Sequence, residues 1–142
     1  MCSPSPTPVR FVVEVSWQIF EPQAAGYEQW YTTSRGRRVD EAEGALLAYL
    51  VEAFRDARSA LEVGCGTGHF TQRLKDAGLT VVGLDRSPAM LGEARRRFRS
   101  ISFIPGDAHD LPFRDRSVDA VVLVATLEFL EDPIRALREA SE

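Results

Sequence analysis

The segment Ser59–His69, read as SALEVGCGTGH, constrains this chain more than any other stretch. A short apolar run carrying Glu62 ends in three alternating glycines, Gly64, Gly66 and Gly68, and a helical pattern begins at His69. Glycines at a strand-to-helix junction let backbone N–H groups approach a ligand closely. Such a junction belongs to a βαβ unit, and the residues that follow repeat the unit. Ser59–Val63 is the first strand, and His69–Ala77 is a helix stopped by Gly78. Thr80–Asp85 (TVVGLD) is almost continuously apolar, as a strand covered on both faces should be. Ser87 caps and Pro88 opens a helix with Met90, Leu91, Ala94 and Phe98 inward. Ile101–Ile104 is a third strand and Val118–Thr126 a fourth. Asp132 and Pro133 open a last helix with Ile134 and Leu137 inward. The expected fold is therefore α/β, a doubly wound parallel sheet. The further strands usual in such a sheet are missing up to Glu142.

Upstream, Asp40 and Glu43 resemble a capping box. Ala42, Ala45, Leu46, Tyr49, Leu50, Ala53 and Phe54 then recur at helical steps, which predicts an amphipathic helix ending near Arg58. Between Glu21 and Arg38, Tyr27, Trp30 and Tyr31 stand at near-helical spacing, either as core packing or as a flap over a ligand. Residues 1–9 read as a disordered lead-in, and Phe11–Phe20 as an extra strand or a misplaced start of translation. The organisation expected is a flexible or extra segment over 1–20, a lid and first helix over 21–58, and a binding domain over 59–142, incomplete at its C-terminal end.

Composition excludes several function classes. The chain has 142 residues, the size of one domain, with 17 basic and 21 acidic side chains. A net charge of −4 argues against a nucleic-acid backbone as partner. No apolar run approaches the ~20 residues of a membrane span. Cys2 and Cys65 make neither a disulfide framework nor a metal site, so a reducing cytoplasm fits.

The spacing inside the glycine loop narrows the ligand. A dinucleotide fingerprint requires a third glycine where His69 stands, and no P-loop pattern exists. Glu62 would repel a pyrophosphate and suits a ligand with positive charge. Asp85, at the carboxyl end of the second strand, occupies the place where an acid accepts from ribose hydroxyls. Asp107, in Pro-Gly-Asp-Ala after the third strand, is either a second ligand carboxylate or a turn aspartate bonding its own backbone. His69, His109 and Cys65 read as structural or solvent-facing. The run Arg95–Arg97 with Arg99 reads as a solvated helix face. No general base stands out.

With these carboxylates at three successive strand ends, the chain resembles the class I S-adenosylmethionine-dependent methyltransferases, and more narrowly the type 11 branch that includes ubiquinone- and menaquinone-pathway enzymes. The resemblance rests on LEVGCGTG (61–68), VVGLDRSPAML (81–91), GDAHDLPF (106–113) and VDAVVLVATLEFLEDP (118–133). It implies a Rossmann-like sheet in the strand order 3-2-1-4, S-adenosylmethionine as cofactor and a small-molecule methyl acceptor. Gly64 and Gly66, in a loop completed by Cys65 and Gly68, would face the methionine and ribose parts, with Glu62 shaping the ammonium end. Asp85 would take the ribose hydroxyls, and Arg86 and Met90 would flank the adenine. Asp107 and the Ala108 amide would meet the adenine edge. Backbone at Ala125 and Thr126 would face the methionine, and Tyr27 and Tyr31 would belong to a lid. No catalytic side chain and no metal is implied. The alternative is a non-catalytic cofactor-binding or assembly module. In either case the exposed fourth strand is expected to drive self-association.

Overall fold

The computed structural model describes residues 17–142. The lead-in over 1–9, Cys2 and the first part of the strand expected at Phe11–Phe20 lie outside the described residues. Its remainder is not a strand. Trp17–Thr32 is a run of 3-10 turns, in which Gln23 Nε2 donates to the Ile19 carbonyl at 2.9 Å. A short apolar alternation becomes a strand only where a sheet edge is there to pair with it.

The elements that follow are α1 (Ser34–Ala53), β1 (Ser59–Val63), α2 (His69–Asp76), β2 (Thr80–Asp85), α3 (Pro88–Arg97), β3 (Ser102–Pro105), β4 (Ala120–Val122) and α4 (Pro133–Ser141). A single 3-10 turn, Leu127–Phe129, precedes α4. The four strands are parallel in the order β3-β2-β1-β4, as expected. Successive residues of β1 feed opposite faces. Ala60 packs with Leu47, Leu74 and Leu91 from α1, α2 and α3, while Leu61 and Val63 pack with Leu84 and Ala136 of α4. Helices thus cover both faces, which is why the strands read as continuous apolar runs.

Five local expectations are corrected. Helix α1 starts at Ser34, where Thr33 Oγ1 accepts from Gly36 N at 3.0 Å, so Asp40 lies inside the helix and caps nothing. Its inward face holds Asp40, Gly44, Leu47 and Val51. The stripe expected to be buried is outside, with Leu46 59% and Tyr49 71% exposed. A Cβ on Gly44 would meet Arg73 Nη1 at 1.9 Å, so the glycine leaves room on this face for the Arg73 side chain to reach Asp40. In α4 the buried residue is Ala136, and Ile134 is 63% exposed, because a small residue gives the close approach.

Strand β4 pairs over three residues only, not nine. Asp119 Oδ2 ties its start to β1 by accepting from Arg58 N at 2.8 Å and Ser59 N at 2.9 Å. Its end is turned away at Ala125 (φ 48°) and Thr126, whose hydroxyl donates to Val124 O at 3.0 Å. Strand β3 begins one residue later than expected, at Ser102. Among the described residues no helix is long and apolar enough to cross a membrane.

Candidate functional site

The carboxyl ends of the parallel strands and the 3-10 segment above them enclose a cavity of about 290 Å³. Its sheet-side wall is built by the glycine loop. Gly64 (φ 76°) and Gly66 (φ 53°) adopt left-handed backbone that other residues avoid. Gly64 N and Cys65 N both donate to Leu84 O, at 2.8 and 3.0 Å, which fastens the loop to the end of β2. A Cβ on Gly64 would strike the Thr126 side chain at 2.5 Å. One on Gly66 would meet nothing within 4 Å, so bare backbone faces the opening there.

Asp85 organises this wall. One carboxylate oxygen accepts from Gly66 N at 2.8 Å and the other from Ser87 N at 2.9 Å. Burial raises its pKa against the lowering by those amides, and Glu21 raises it further. Glu62 lines the same wall and is completely buried, with Thr71 Oγ1 as its hydrogen-bond donor. Burial first, and the Asp85 charge second, push its pKa up to about 8.

Met90, Ala108, Ala125 and Arg86 also line the cavity. Arg86 stands 3.8 Å from Asp107 and 3.7 Å from Glu131, with its guanidinium 5.6 Å from the Trp17 ring centre. Asp107 itself lies beside the cavity. Its Oδ1 accepts from His109 N at 2.9 Å and pairs with His109 Nδ1 at 2.6 Å, the turn role that was one of its two readings. Those bonds and Arg86 hold its pKa below the usual range in spite of desolvation. His109 is buried, and its Nε2 accepts from Asp132 N at 3.2 Å, so it joins this turn to the start of α4. Cys65 and Gly68 do not border the cavity. The Cys65 thiol is buried and its pKa pushed well up by that burial, and Gly68 packs on Phe103 and Phe98.

The opposite wall is the 3-10 segment, including Tyr27 and Tyr31. Tyr31 stacks on His69 with ring centres 3.9 Å apart and planes within 11°. Burial raises the pKa of both tyrosines, keeping the phenols neutral. Two carboxylates latch the segment down. Glu28 accepts from Thr67 Oγ1 in the glycine loop, pairs with Arg97 at 2.5 Å, and lies 3.6 Å from His69 Nδ1. Glu21 accepts from Ser87 Oγ, and from Ala89 N at 3.3 Å, at the start of α3. His69 is also bonded to Asp40 at 2.6 Å, and although burial opposes it, Glu28 and Asp40 raise its pKa.

Two arginines expected on a solvated face are therefore engaged. Arg97 reaches Glu28 and the Thr67 carbonyl, and Arg95 donates to Phe103 O at 2.8 Å. Long side chains fold back wherever acceptors lie close. Sequence reasoning missed Glu21 and Glu28, the cavity residues Trp17, Glu43 and Glu128, and the joining role of His109. No spacing marked them, because Glu21, Glu28 and His109 meet partners distant in the chain and the others reach the cavity only through the tertiary fold. Among the described residues no group of three or more His, Cys, Asp or Glu side chains is placed to hold a metal ion.

Comparison with known proteins adds four findings. Residues 61–142 match the family described as Methyltransferase domain. A demethylmenaquinone methyltransferase of Renibacterium salmoninarum is 47% identical over 79 residues, covering 56% of this chain and 33% of that protein. A solved SAM-dependent methyltransferase of Thermotoga maritima, described as a possible histamine N-methyltransferase, superposes with a TM-score of 0.72 at 34% identity. It covers 88% of this chain and 55% of its own. SAM-bound CalS10, an amino pentose methyltransferase of Micromonospora echinaspora, gives a TM-score of 0.66 at 30% identity, over 81% of this chain and 48% of its own. The chain spans roughly a third of the curated relatives' length and about half of those solved chains.

Proposed function

Since the chain belongs to the methyltransferase domain family that its residues 61–142 match, we propose that it holds S-adenosylmethionine in this cavity and directs the methyl group to a small-molecule acceptor. It is a class I, S-adenosylmethionine-dependent methyltransferase domain with a Rossmann-like sheet. The observation that carries the reading is bare backbone at Gly66 set beside the Asp85 carboxylate on one cavity wall. Each Asp85 oxygen accepts one backbone N–H and retains a lone pair, enough for the two neighbouring hydroxyls of a ribose.

The remaining roles follow from position. Glu62, buried and costly to ionise alone, suits the cofactor's ammonium group. Arg86 and Met90 bracket the adenine, and the Ala108 amide meets its edge. Asp107 is fixed by His109 beside that edge. Backbone at Ala125 and Thr126 turns toward the methionine part. Cys65 and Gly68 shape the loop without bordering the ligand. Residues 21–58 supply lid and first helix, and 59–142 the binding domain.

When bound, the cofactor supplies a methyl group on positively charged sulfur, already electrophilic. What remains for the protein is positioning and the exclusion of water. The glycine loop and Asp85 orient the donor, and Tyr27 and Tyr31, latched by Glu28, close the opening. We read the protein as cytoplasmic, with the open edge of β4 able to pair between copies.

Isothermal titration tests the reading. S-adenosylhomocysteine should bind and NAD should not. Heat for NAD with none for S-adenosylhomocysteine overturns it.

A further inference from the structure

We propose that the methyl acceptor is a small amine with an apolar body, its nitrogen seated at Glu43 and Glu128 and its body against the rings of Trp30, Tyr31 and Phe129; the inference rests on the cofactor reading above. These residues border the cavity from α1, the 3-10 segment and the Leu127–Phe129 turn, apart from the glycine loop and Asp85.

The charge pattern singles out the two glutamates. The other carboxylates near the site are each held by a cation or a hydrogen bond: Glu28 has Arg97, Asp40 has Arg73, Asp107 and Glu131 have Arg86, Glu21 accepts from Ser87, Glu62 from Thr71, and Asp85 from Gly66 and Ser87. Glu43 and Glu128 have no ion pair or hydrogen bond among the described residues. They are close enough for the Glu128 charge to raise the Glu43 pKa, after burial and Asp40, with His69 opposing. Like charges facing one cavity are relieved when a cation enters. Arg86 is the single positively charged side chain among the cavity-lining residues, against Glu43, Glu62, Asp85 and Glu128. An anionic acceptor would be repelled, and a neutral one would leave the pair unsatisfied. Aromatic faces beside the pair add attraction for a cation. The ammonium of the cofactor is assigned to Glu62, so it leaves Glu43 and Glu128 unpaired.

Transfer to such an acceptor balances simply. The bound ammonium first gives one proton to a glutamate or to water. Its nitrogen lone pair then forms the bond to the methyl carbon, while the carbon–sulfur bond breaks with its electron pair remaining on sulfur. The product is the N-methylated ammonium.

The test uses the chain saturated with S-adenosylhomocysteine and titrated with three probes of one shape: phenethylamine, 2-phenylethanol and 3-phenylpropionate. The amine should bind at least about tenfold tighter than the alcohol, and the acid should give no heat, since hydrogen bonds to charged groups exceed neutral ones by that order. Glu43→Gln and Glu128→Gln should each weaken the amine about 5- to 30-fold at these partly exposed positions. S-adenosylhomocysteine affinity should stay within about twofold, which also reports that each variant is folded. If the homocysteine product binds while amine and alcohol bind equally, or the variants hold the amine as the parent does, the amine assignment falls and the cofactor reading stands. If S-adenosylhomocysteine does not bind the parent chain, both fall.

Discussion

Replacing Glu62 by glutamine should stabilise the fold at pH 8 and weaken the site. The carboxyl is wholly buried and titrates at about 8, against 4.5 for the ordinary group. Between those values the unfolded chain has released the proton that the folded chain retains, so stability falls as pH rises through the window. Below 4.5 the penalty is absent, and above about 8 it is complete. The full difference corresponds to about 5 kcal/mol, a large share of the 5–15 kcal/mol typical of a domain. Glutamine keeps the shape and still accepts from Thr71 Oγ1, while its amide turns an N–H₂ toward the cavity, at a cost of about 1–3 kcal/mol if poorly solvated. Denaturant titrations at pH 5, 6.5 and 8 should therefore show Glu62→Gln more stable than the parent by about 2–4 kcal/mol at pH 8 and equal or slightly weaker at pH 5. The difference between the two proteins isolates Glu62 from Asp85, whose raised pKa tilts both curves alike. Parallel pH profiles, or a variant less stable at pH 8, would refute the reasoning. Binding supplies a second check: an ammonium at Glu62 should expel its proton at pH 7, so calorimetry in buffers of different ionisation enthalpy should record proton release in the parent and none in Glu62→Gln.

Asp85→Ala should weaken S-adenosylhomocysteine binding roughly 10- to 150-fold, since hydrogen bonds to a charged acceptor are lost, and unchanged affinity by calorimetry would misplace the ribose. Gly64→Ala forces both a left-handed φ and a 2.5 Å clash with Thr126, so a loss of at least about 1–3 kcal/mol is expected in thermal unfolding. Gly66→Ala carries the strain without the clash, so its melting temperature should fall less while its methyl, directed into the opening, lowers cofactor affinity more. Arg97→Ala removes the cation from the Glu28 latch, and hydrogen exchange should quicken over residues 17–32 but not in β1 or β2; uniform protection would deny the latch.

How much the chain announces about itself differs by element. The strands β1 and β2, the helices α2 and α3, and the loop between β1 and α2 were legible residue by residue. Their signals are local: alternating glycines where φ must be positive, Ser87 and Pro88 at a helix start, and apolar runs too continuous for a one-sided sheet. Asp85 was legible because a strand end in a parallel sheet has a fixed place. The buried side of α1 was not. Its apolar stripe has a helical period on Leu46, Tyr49, Leu50 and Phe54, yet the face that packs is set by Gly44 against Arg73 and by Asp40 between His69 and Arg73. Periodicity states that a helix has a side, while the neighbouring helix decides which side is covered. The length of β4 likewise depends on Asp119 reaching the start of β1 and Thr126 turning the chain away. Composition and local spacing thus determined the βαβ frame and the left-handed turns of its glycine loop. Only the tertiary structure decided that Glu28 meets Thr67 and Arg97, and that Glu43 forms no ion pair among the described residues, because the strength of a charge contact depends on distances that the intervening residues do not encode.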